Sequence, residues 1–168
     1  MLRKFSLIFI SVLMIICLYP ILGHTTESTT KNGLFPDELV SAEVLLKKIN
    51  HKESFLLFDA RSKKSFDEAH ITGARLPLTE EYYRQEDLFK DGIIKSPPDR
   101  AEALKTAMTA IPKETPIITY CNTGCHASSV LVLQLKQLGY TQVRAYEDGF
   151  QTWQQQGHPV YTPKKVSK

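Results

Sequence analysis

Cysteine is scarce in this chain, and neither sign of charge dominates it. Three cysteines among 168 residues cannot build the disulfide framework of a small secreted scaffold. Lysine and arginine number 21 and aspartate and glutamate 18, and the sequence has no basic patch with interleaved aromatic residues. Nucleic acid is therefore not an expected partner. The basic end of the chain, residues 163–168, is predicted to be a solvated tail.

Long apolar runs are also absent, apart from one at the start. Residues 5–22 form this run directly after Arg3 and Lys4, a pattern typical of a secretory signal. We predict a signal peptide over residues 1–23, or else an uncleaved N-terminal anchor, and a membrane is an expected partner only in the second case. Export to the periplasm or another extracytoplasmic compartment leaves Cys121 and Cys125 where disulfides can persist.

The rest of the chain is nearly neutral and long enough for one domain with a hydrophobic core. Without Arg3 and Lys4 the 21 basic residues become 19, against 18 acidic ones. Residues 24–35 are polar and lack periodicity, which suits a linker. We therefore predict a single domain over residues 36–162.

Strand and helix patterns alternate along this domain. Strand patterns occur at residues 55–58, between Gly73 and Pro77, at 117–120 and at 142–146, and helical patterns at 41–49, 62–68, 100–110, 127–138 and 149–156. This alternation predicts an α/β fold with a central, mainly parallel sheet of about five strands, flanked by helices. Residues 79–97 are polar, and the longer segment 79–112 is open to interpretation as a partner surface or a lid.

Cys121 follows the apolar run 117–120 and opens a polar loop over residues 121–126, ahead of the predicted helix 127–138. This places its sulfur at the carboxyl end of a buried strand, where open α/β sheets bind ligands. Loop amides near a helix start form a concavity suited to an anion or a thiolate. The position therefore predicts a nucleophile.

Two groups of residues, in this order, resemble the signatures of the rhodanese family of sulfurtransferase-like domains. The first group is Asp59-Ala60-Arg61, Phe66 and residues 70–74, and the second is residues 120–124, 139–143 and 149–153. The resemblance covers about residues 36–160 and is carried by the ordered combination rather than by one motif. It implies a three-layer α/β sandwich, and together with the predicted signal it suggests a single-domain, exported member of the family.

The resemblance also implies a chemistry and a site. Cys121 would take sulfane sulfur from a donor such as thiosulfate, carry it as a persulfide and pass it to a thiophilic acceptor. The expected partners are a small sulfur-containing anion or a low-molecular-weight thiol, with a protein thiol as a further acceptor, and no cofactor or metal is required. The expected substrate-binding residues are Asn122, Thr123, Gly124, Cys125, His126 and Arg61, and Asp59 and His70 are expected to give structural support. The loop is expected to lower the pKa of Cys121.

Departures from the family pattern keep a second function open. Cys125 and His126 stand where many active members have an arginine or another polar residue. Cys121 and Cys125 could instead form the redox pair of a thiol-disulfide oxidoreductase or redox sensor, although three residues separate them rather than the two of thioredoxin-like motifs. Phosphatase chemistry is not expected, because Ala127 stands where that loop needs an arginine. A non-catalytic binding module is disfavoured by Cys121 and Gly124.

Overall fold

The computed structural model of the protein describes residues 33–163. A short 3₁₀ turn, Pro36–Glu38, precedes twelve elements: β1 Leu39–Val40, α1 Ala42–Asn50, β2 Leu56–Asp59, α2 Lys63–Glu68, β3 His70–Ile71, α3 Glu80–Lys90, α4 Arg100–Met108, β4 Ile117–Tyr120, α5 Ala127–Gln137, β5 Val143–Tyr146, α6 Gly149–Gln155 and β6 Val160–Tyr161. The predicted signal segment, most of the linker and all but the first residue of the basic tail lie outside the described residues. Within residues 33–163, no helix combines the length and apolar character needed to cross a bilayer.

The central sheet is parallel, with its strands in the order β1-β5-β4-β2. It has four strands rather than the predicted five or so. The segment between Gly73 and Pro77 contributes only a one-residue bridge to β2, in which the amide of Arg75 donates to the carbonyl of Leu57 at 2.9 Å. Pro77 lacks an amide proton and ends this pairing. Strands β3 and β6 form a separate antiparallel pair.

Helices cover both faces of the sheet, as the sequence predicts. One face packs against α4 and α5 through Leu104, Met108, Leu131, Val132 and Leu135. The other packs against α1 and α6 through Leu45, Phe150 and Trp153. Because both faces are covered, the four residues of the central strand β4 are all buried. The result is the three-layer sandwich that the resemblance implies.

Helix α3 is an element that the sequence analysis did not predict. Thr79 caps it by accepting a hydrogen bond from the amide of Tyr82, and ion pairs such as Lys90 to Glu86 at 2.9 Å support its exposed face. Its only buried residues are the adjacent Tyr82 and Tyr83. Two neighbouring aromatic residues give no 3.6-residue period, so the helix lacks the apolar pattern by which the others are found.

A buried hydrogen-bond network joins β2, β4 and β3 at the end of the sheet that carries Cys121. The Asp59 carboxylate, 0% exposed, accepts hydrogen bonds from the Tyr120 hydroxyl at 2.7 Å and from Nη2 of Arg61 at 2.6 Å. The same hydroxyl accepts from the amide of Ile71 at 3.1 Å. Burial and the neighbouring Asp59 raise the pKa of Tyr120, so its hydroxyl stays protonated and keeps donating. The network therefore fixes the residue that directly precedes Cys121.

His70 supports the same region from β3. Its Nδ1 lies 2.8 Å from the carbonyl of Phe66, and its ring stacks on the Phe66 ring with centroids 3.8 Å apart. These contacts tie β3 to the end of α2. The expected structural role of His70 is consistent with this position.

Two tyrosines opposite one another in the sheet offer a test of the network. Tyr120 pairs in register with Tyr146, whose hydroxyl is buried without a hydrogen-bond partner among the described residues. Tyr120→Phe is expected to lower the free energy of unfolding by about 1–3 kcal/mol, because it leaves the Ile71 amide and the Asp59 carboxylate short of a partner. Tyr146→Phe is expected to cost nothing or to stabilise. Urea unfolding measures both, and equal losses would contradict the role given to the network.

Candidate active site

Cys121 lies where the sequence predicts, directly after the central strand β4. Its carbonyl accepts a hydrogen bond from the amide of Phe150 at 2.8 Å, and the carbonyl of Tyr120 accepts from the amide of Ala60 at the same distance. The backbone on both sides of the sulfur is thus attached to neighbouring elements. The position of the sulfur is therefore fixed by the fold, and the 122–126 loop and α5 supply its contacts.

The Cys121 thiol is enclosed and faces oxygen atoms. The residue is 2% exposed, and its Sγ lies 3.0 Å from the carbonyl of Cys125, 3.5 Å from that of Asn122 and 3.3 Å from the hydroxyl of Ser128. The thiol can donate to either carbonyl, whereas a thiolate would be repelled by both. Carbonyl contacts therefore favour the protonated form.

Burial raises the pKa of Cys121 above that of an ordinary thiol. Contact with Ser128 opposes the rise, and the neighbouring Cys125 adds to it. The expectation that the loop lowers this pKa is therefore wrong for the structure described here. Its physical cause is that the sulfur lies in the core layer beneath α4 and α5 rather than in an open cradle of amides.

Two loop amides that were expected to face the sulfur are directed elsewhere. The amide of Thr123 donates to Oε1 of Gln151 at 2.8 Å, and the amide of Cys125 donates to the carbonyl of Asn122 at 3.0 Å. The second bond closes a turn through Gly124, whose φ of 74° is the positive value that glycine adopts freely. Gly124 thus permits a tight turn in the loop, while these two amides do not bind the thiol.

The first turn of α6 clamps the loop from the side. Gln151 donates through Nε2 to Oδ1 of Asn122 at 2.8 Å, so its side-chain amide holds two consecutive loop residues. The Thr123 hydroxyl donates to the carbonyl of Asp148 at 2.7 Å and lies 3.1 Å from the hydroxyl of Thr152. Asn122 and Thr123 were expected to bind substrate, but their polar side-chain atoms hydrogen-bond to the start of α6 and position the loop.

Close approach of the backbone makes this clamp possible. A side chain on Gly149 would place its Cβ 2.3 Å from the amide nitrogen of Thr123, and the φ of Gly149 is 81°. Only glycine combines that conformation with the absence of a Cβ. Gly149 therefore lets α6 begin directly against the loop.

Cys125 and His126 complete the loop. Cys125 is half-buried, and its Sγ accepts a hydrogen bond from the amide of Ala127 at 3.4 Å. His126 is exposed at the N-cap position of α5, where its side chain makes no capping hydrogen bond. Both cysteines are free thiols. The second thiol accordingly lies at the loop end, beside the first.

Comparison with known proteins identifies the family of this fold. The model of the rhodanese-like domain matches residues 41–156. The chain belongs to the rhodanese-like domain family. Among curated protein sequences, no match is found.

Solved structures share the rhodanese-like fold at low sequence identity. A rhodanese-like domain from Anabaena has a TM-score of 0.56 at 19% identity, over 78% of this chain and 83% of that one. A protein from Bacillus halodurans has a TM-score of 0.55 at 20% identity, over 74% and 76%. Thiosulfate sulfurtransferase from Pseudomonas aeruginosa has a TM-score of 0.51 at 18% identity, over 74% of this chain and 20% of that enzyme. At these identities the likeness concerns the fold.

Arg61, the remaining expected substrate-binding residue of this rhodanese-like domain, is engaged in the framework. Its side chain is 5% exposed, pairs with Asp59 and donates through Nη2 to the carbonyl of Ala69 at 2.6 Å. Its guanidinium carbon lies 3.9 Å from the centre of the Phe150 ring. Arg61 and Asn122 both line a cleft of about 340 Å³ on the flank of the loop, and Cys121 is not among the lining residues of that cleft. The pair with Asp59, rather than contact with the sulfur, explains its position.

Sequence reasoning missed three residues of this rhodanese-like site. Ser128 contacts the sulfur from the first turn of α5, and Gln151 and Thr152 hold the loop from α6. Gln151 and Thr152 follow the late glycine of the second signature, but a single glutamine or threonine on a helix gives no signal of what it contacts. Ser128 is the second residue of α5, and this place in the first helical turn after the loop is the one sequence signal that pointed toward Cys121.

Glycines at the two ends of α6 test the loop clamp. Gly149→Ala is expected to destabilise the domain and to increase alkylation of Cys121, because its Cβ would displace the backbone at Thr123. Gly157→Ala is the control, since Gly157 has a similar φ of 72° but open space around it, and it is expected to cost only the left-handed strain of about 1–2 kcal/mol. Urea unfolding and iodoacetamide labelling measure both effects. Equal stability losses with unchanged labelling would refute the clamp.

Proposed function

We propose that this protein is a sulfurtransferase that carries sulfane sulfur as a persulfide on Cys121. The supporting observation is the position of a free thiol at the end of the central strand, enclosed by a short loop and a helix start, in a chain of the rhodanese-like family. One structural neighbour is named as a thiosulfate sulfurtransferase, which makes thiosulfate the first donor to test.

The proposed reaction has two steps. The Cys121 thiol first loses its proton to solvent; the thiolate then attacks the outer sulfur of thiosulfate, the sulfur–sulfur bond of the donor breaks, and sulfite leaves with the bonding electron pair. An acceptor thiolate then attacks the outer sulfur of the persulfide, and Cys121 departs as a thiolate. The covalent intermediate divides one difficult transfer into two easier displacements.

The resting Cys121 thiol is shielded from solvent and, because burial raises its pKa, protonated. It must therefore lose its proton before it attacks, and a donor must be able to reach it. With Cys121 only 2% exposed, a donor reaches the sulfur only if the 122–126 loop gives way. The Thr123 and Asn122 side chains are held by α6, so the part of the loop with fewer attachments is its Gly124–His126 end. Access to Cys121 is therefore proposed to depend on this end, which carries the exposed His126.

Intact-mass spectrometry tests sulfur loading directly. Purified protein incubated with thiosulfate is expected to gain the mass of one sulfur atom, because the persulfide is a covalent intermediate. The gain should be reversed by a thiol acceptor and absent from Cys121→Ala. A wild-type protein that acquires no sulfur from thiosulfate or from an organic persulfide would refute the proposed function.

A second candidate is dithiol redox chemistry between Cys121 and Cys125. It is favoured by proximity, because the Cys121 thiol donates a hydrogen bond to the carbonyl of Cys125 at 3.0 Å. An oxidant would take two electrons as the two thiols lose their protons and join. The predicted signal over residues 1–23, if it directs export, would bring this pair to a compartment where such a bond persists.

Replacing Cys125 separates the two candidates. Cys125→Ser is expected to keep most of the sulfur loading, because loading needs only the Cys121 thiol, and to lose any disulfide that forms between the two residues. Counting free thiols before and after treatment with diamide measures the second effect. Identical counts in the wild-type protein would exclude the disulfide, and loss of loading in Cys125→Ser would instead assign Cys125 to the transfer itself.

A further inference from the structure

Ser128 is the side-chain hydroxyl in contact with the Cys121 sulfur. It lies in the first turn of α5, is 3% exposed, and has its Oγ 3.3 Å from the Cys121 Sγ. The hydroxyl is therefore a buried polar group directed at the atom that is proposed to react. No role was assigned to it from the sequence.

The relative position of hydroxyl and thiol is fixed by the fold. Thr119, on β4 and 0% exposed, donates through Oγ1 to the carbonyl of Ser128 at 3.0 Å. Because Thr119 and Cys121 flank Tyr120 on one backbone, this bond ties the start of α5 to the strand that carries the nucleophile. The contact is built on two regular elements rather than on the loop alone.

The contacts of the sulfur differ in what they can offer an anion. The carbonyls of Cys125 and Asn122 only accept hydrogen bonds, so they suit the thiol and oppose the thiolate. The Ser128 hydroxyl rotates and can donate. Among the described side chains that hydrogen-bond to this sulfur, it is the one able to hold a negative charge there.

We propose that Ser128 is a catalytic residue whose hydroxyl donates a hydrogen bond to the Cys121 sulfur whenever that sulfur carries negative charge. This role rests on the proposed sulfur transfer. When an acceptor thiolate attacks the outer sulfur of the persulfide, the sulfur–sulfur bond breaks and its electron pair remains on Cys121. The Ser128 proton stays on its oxygen and is shared, so no further acid or base enters the step. Charge-assisted hydrogen bonds of this kind are stronger than neutral ones.

Other ionisable groups around the sulfur do not replace this donor. The ionisable side chains of the loop, of β2 and the residues after it, of the start of α6 and of α3 comprise Cys125, His126, Asp59, Arg61, Asp148, Tyr82 and Tyr83, of which Cys125, Tyr82 and Tyr83 pack in the same core cluster as Cys121. Cys125 raises the pKa of Cys121 rather than lowering it. Asp59 and Arg61 neutralise each other at 2.6 Å, and His126 is exposed. The Ser128 hydroxyl is the largest cause that lowers the pKa of Cys121 against burial, and the Ser128 backbone adds to it.

The chain offers a matched control in the next residue. Ser129 is also 3% exposed on the same helical turn, and its hydroxyl makes no hydrogen bond to Cys121. Ser128→Ala and Ser129→Ala therefore remove the same atom from equally buried sites. Urea unfolding confirms that each variant is folded before its chemistry is compared.

Iodoacetamide labelling at Cys121, followed against pH and assigned by fragment-ion mass spectrometry, reads the thiolate without any sulfur donor. Ser128→Ala is expected to raise the midpoint of the labelling profile by about one pH unit. At a fixed pH below that midpoint, labelling should be about tenfold slower, as loss of a hydrogen bond to a charged group implies. Ser129→Ala should match the wild type. A Ser128→Ala profile identical to the wild type, or an equal displacement in both variants, would overturn the proposal.

Sulfur loading from thiosulfate adds a separate measurement. In Ser128→Ala the rate of loading is expected to fall about tenfold with the final amount unchanged, and in Ser129→Ala it should not fall. Failure of the wild type to load refutes the proposed function, while the labelling profile still decides whether Ser128 holds the thiolate. Normal loading in Ser128→Ala refutes the catalytic role alone.

Discussion

The buried Asp59 carboxylate is the constraint on which the reactive end of this domain depends. A buried carboxylate must be paired and hydrogen-bonded, and Asp59 receives Arg61 from its own strand end and Tyr120 from the central strand. Tyr120 in turn receives the amide of Ile71. Three strand ends are thereby held together one residue before the nucleophile, so Cys121 starts from a fixed point. The same pairing accounts for the side chain of Arg61, which is directed into the framework rather than toward a ligand.

A second layer of order comes from helices on opposite sides of the nucleophile. Helix α6 holds the outer part of the loop through Gln151 and Thr152, and α5 presents Ser128 to the sulfur. Both contacts are possible because the helices start at the carboxyl edge of the sheet, where strand order places loops side by side. The loop itself contributes few attachments beyond its turn at Gly124. Its shape is therefore imposed largely from outside, by elements that lie far from it in sequence.

This division explains what the sequence could and could not predict. An apolar run predicts strand β4 and a helical period predicts helix α5, so the position of Cys121 between them can be predicted from the local sequence. Strand β1 is only Leu39–Val40 and exists through its pairing with β5, and α3 lacks a period because its buried residues are adjacent. The bond from Thr123 to Gln151 joins residues 28 positions apart and leaves no local trace. The carbonyls that face the sulfur are backbone atoms, which residue identity does not orient, so the raised pKa of Cys121 could not be predicted.

The loop's composition gives these backbone and hydroxyl contacts their importance. Residues 121–126 contain neither lysine nor arginine, and the nearby guanidinium of Arg61 is neutralised by Asp59. The proposed stabilisation of a negative charge on Cys121 therefore comes from hydrogen-bond donors rather than from a cation, since among the described residues no lysine or arginine side chain bonds to its sulfur. In a core layer of low dielectric, a single well-placed donor has more effect than it would in water. With Cys125 and His126 at the end of the loop, where many active members of the family have an arginine or another polar residue, the proposed hydrogen-bond donor to a charged Cys121 is Ser128 in the first turn of α5.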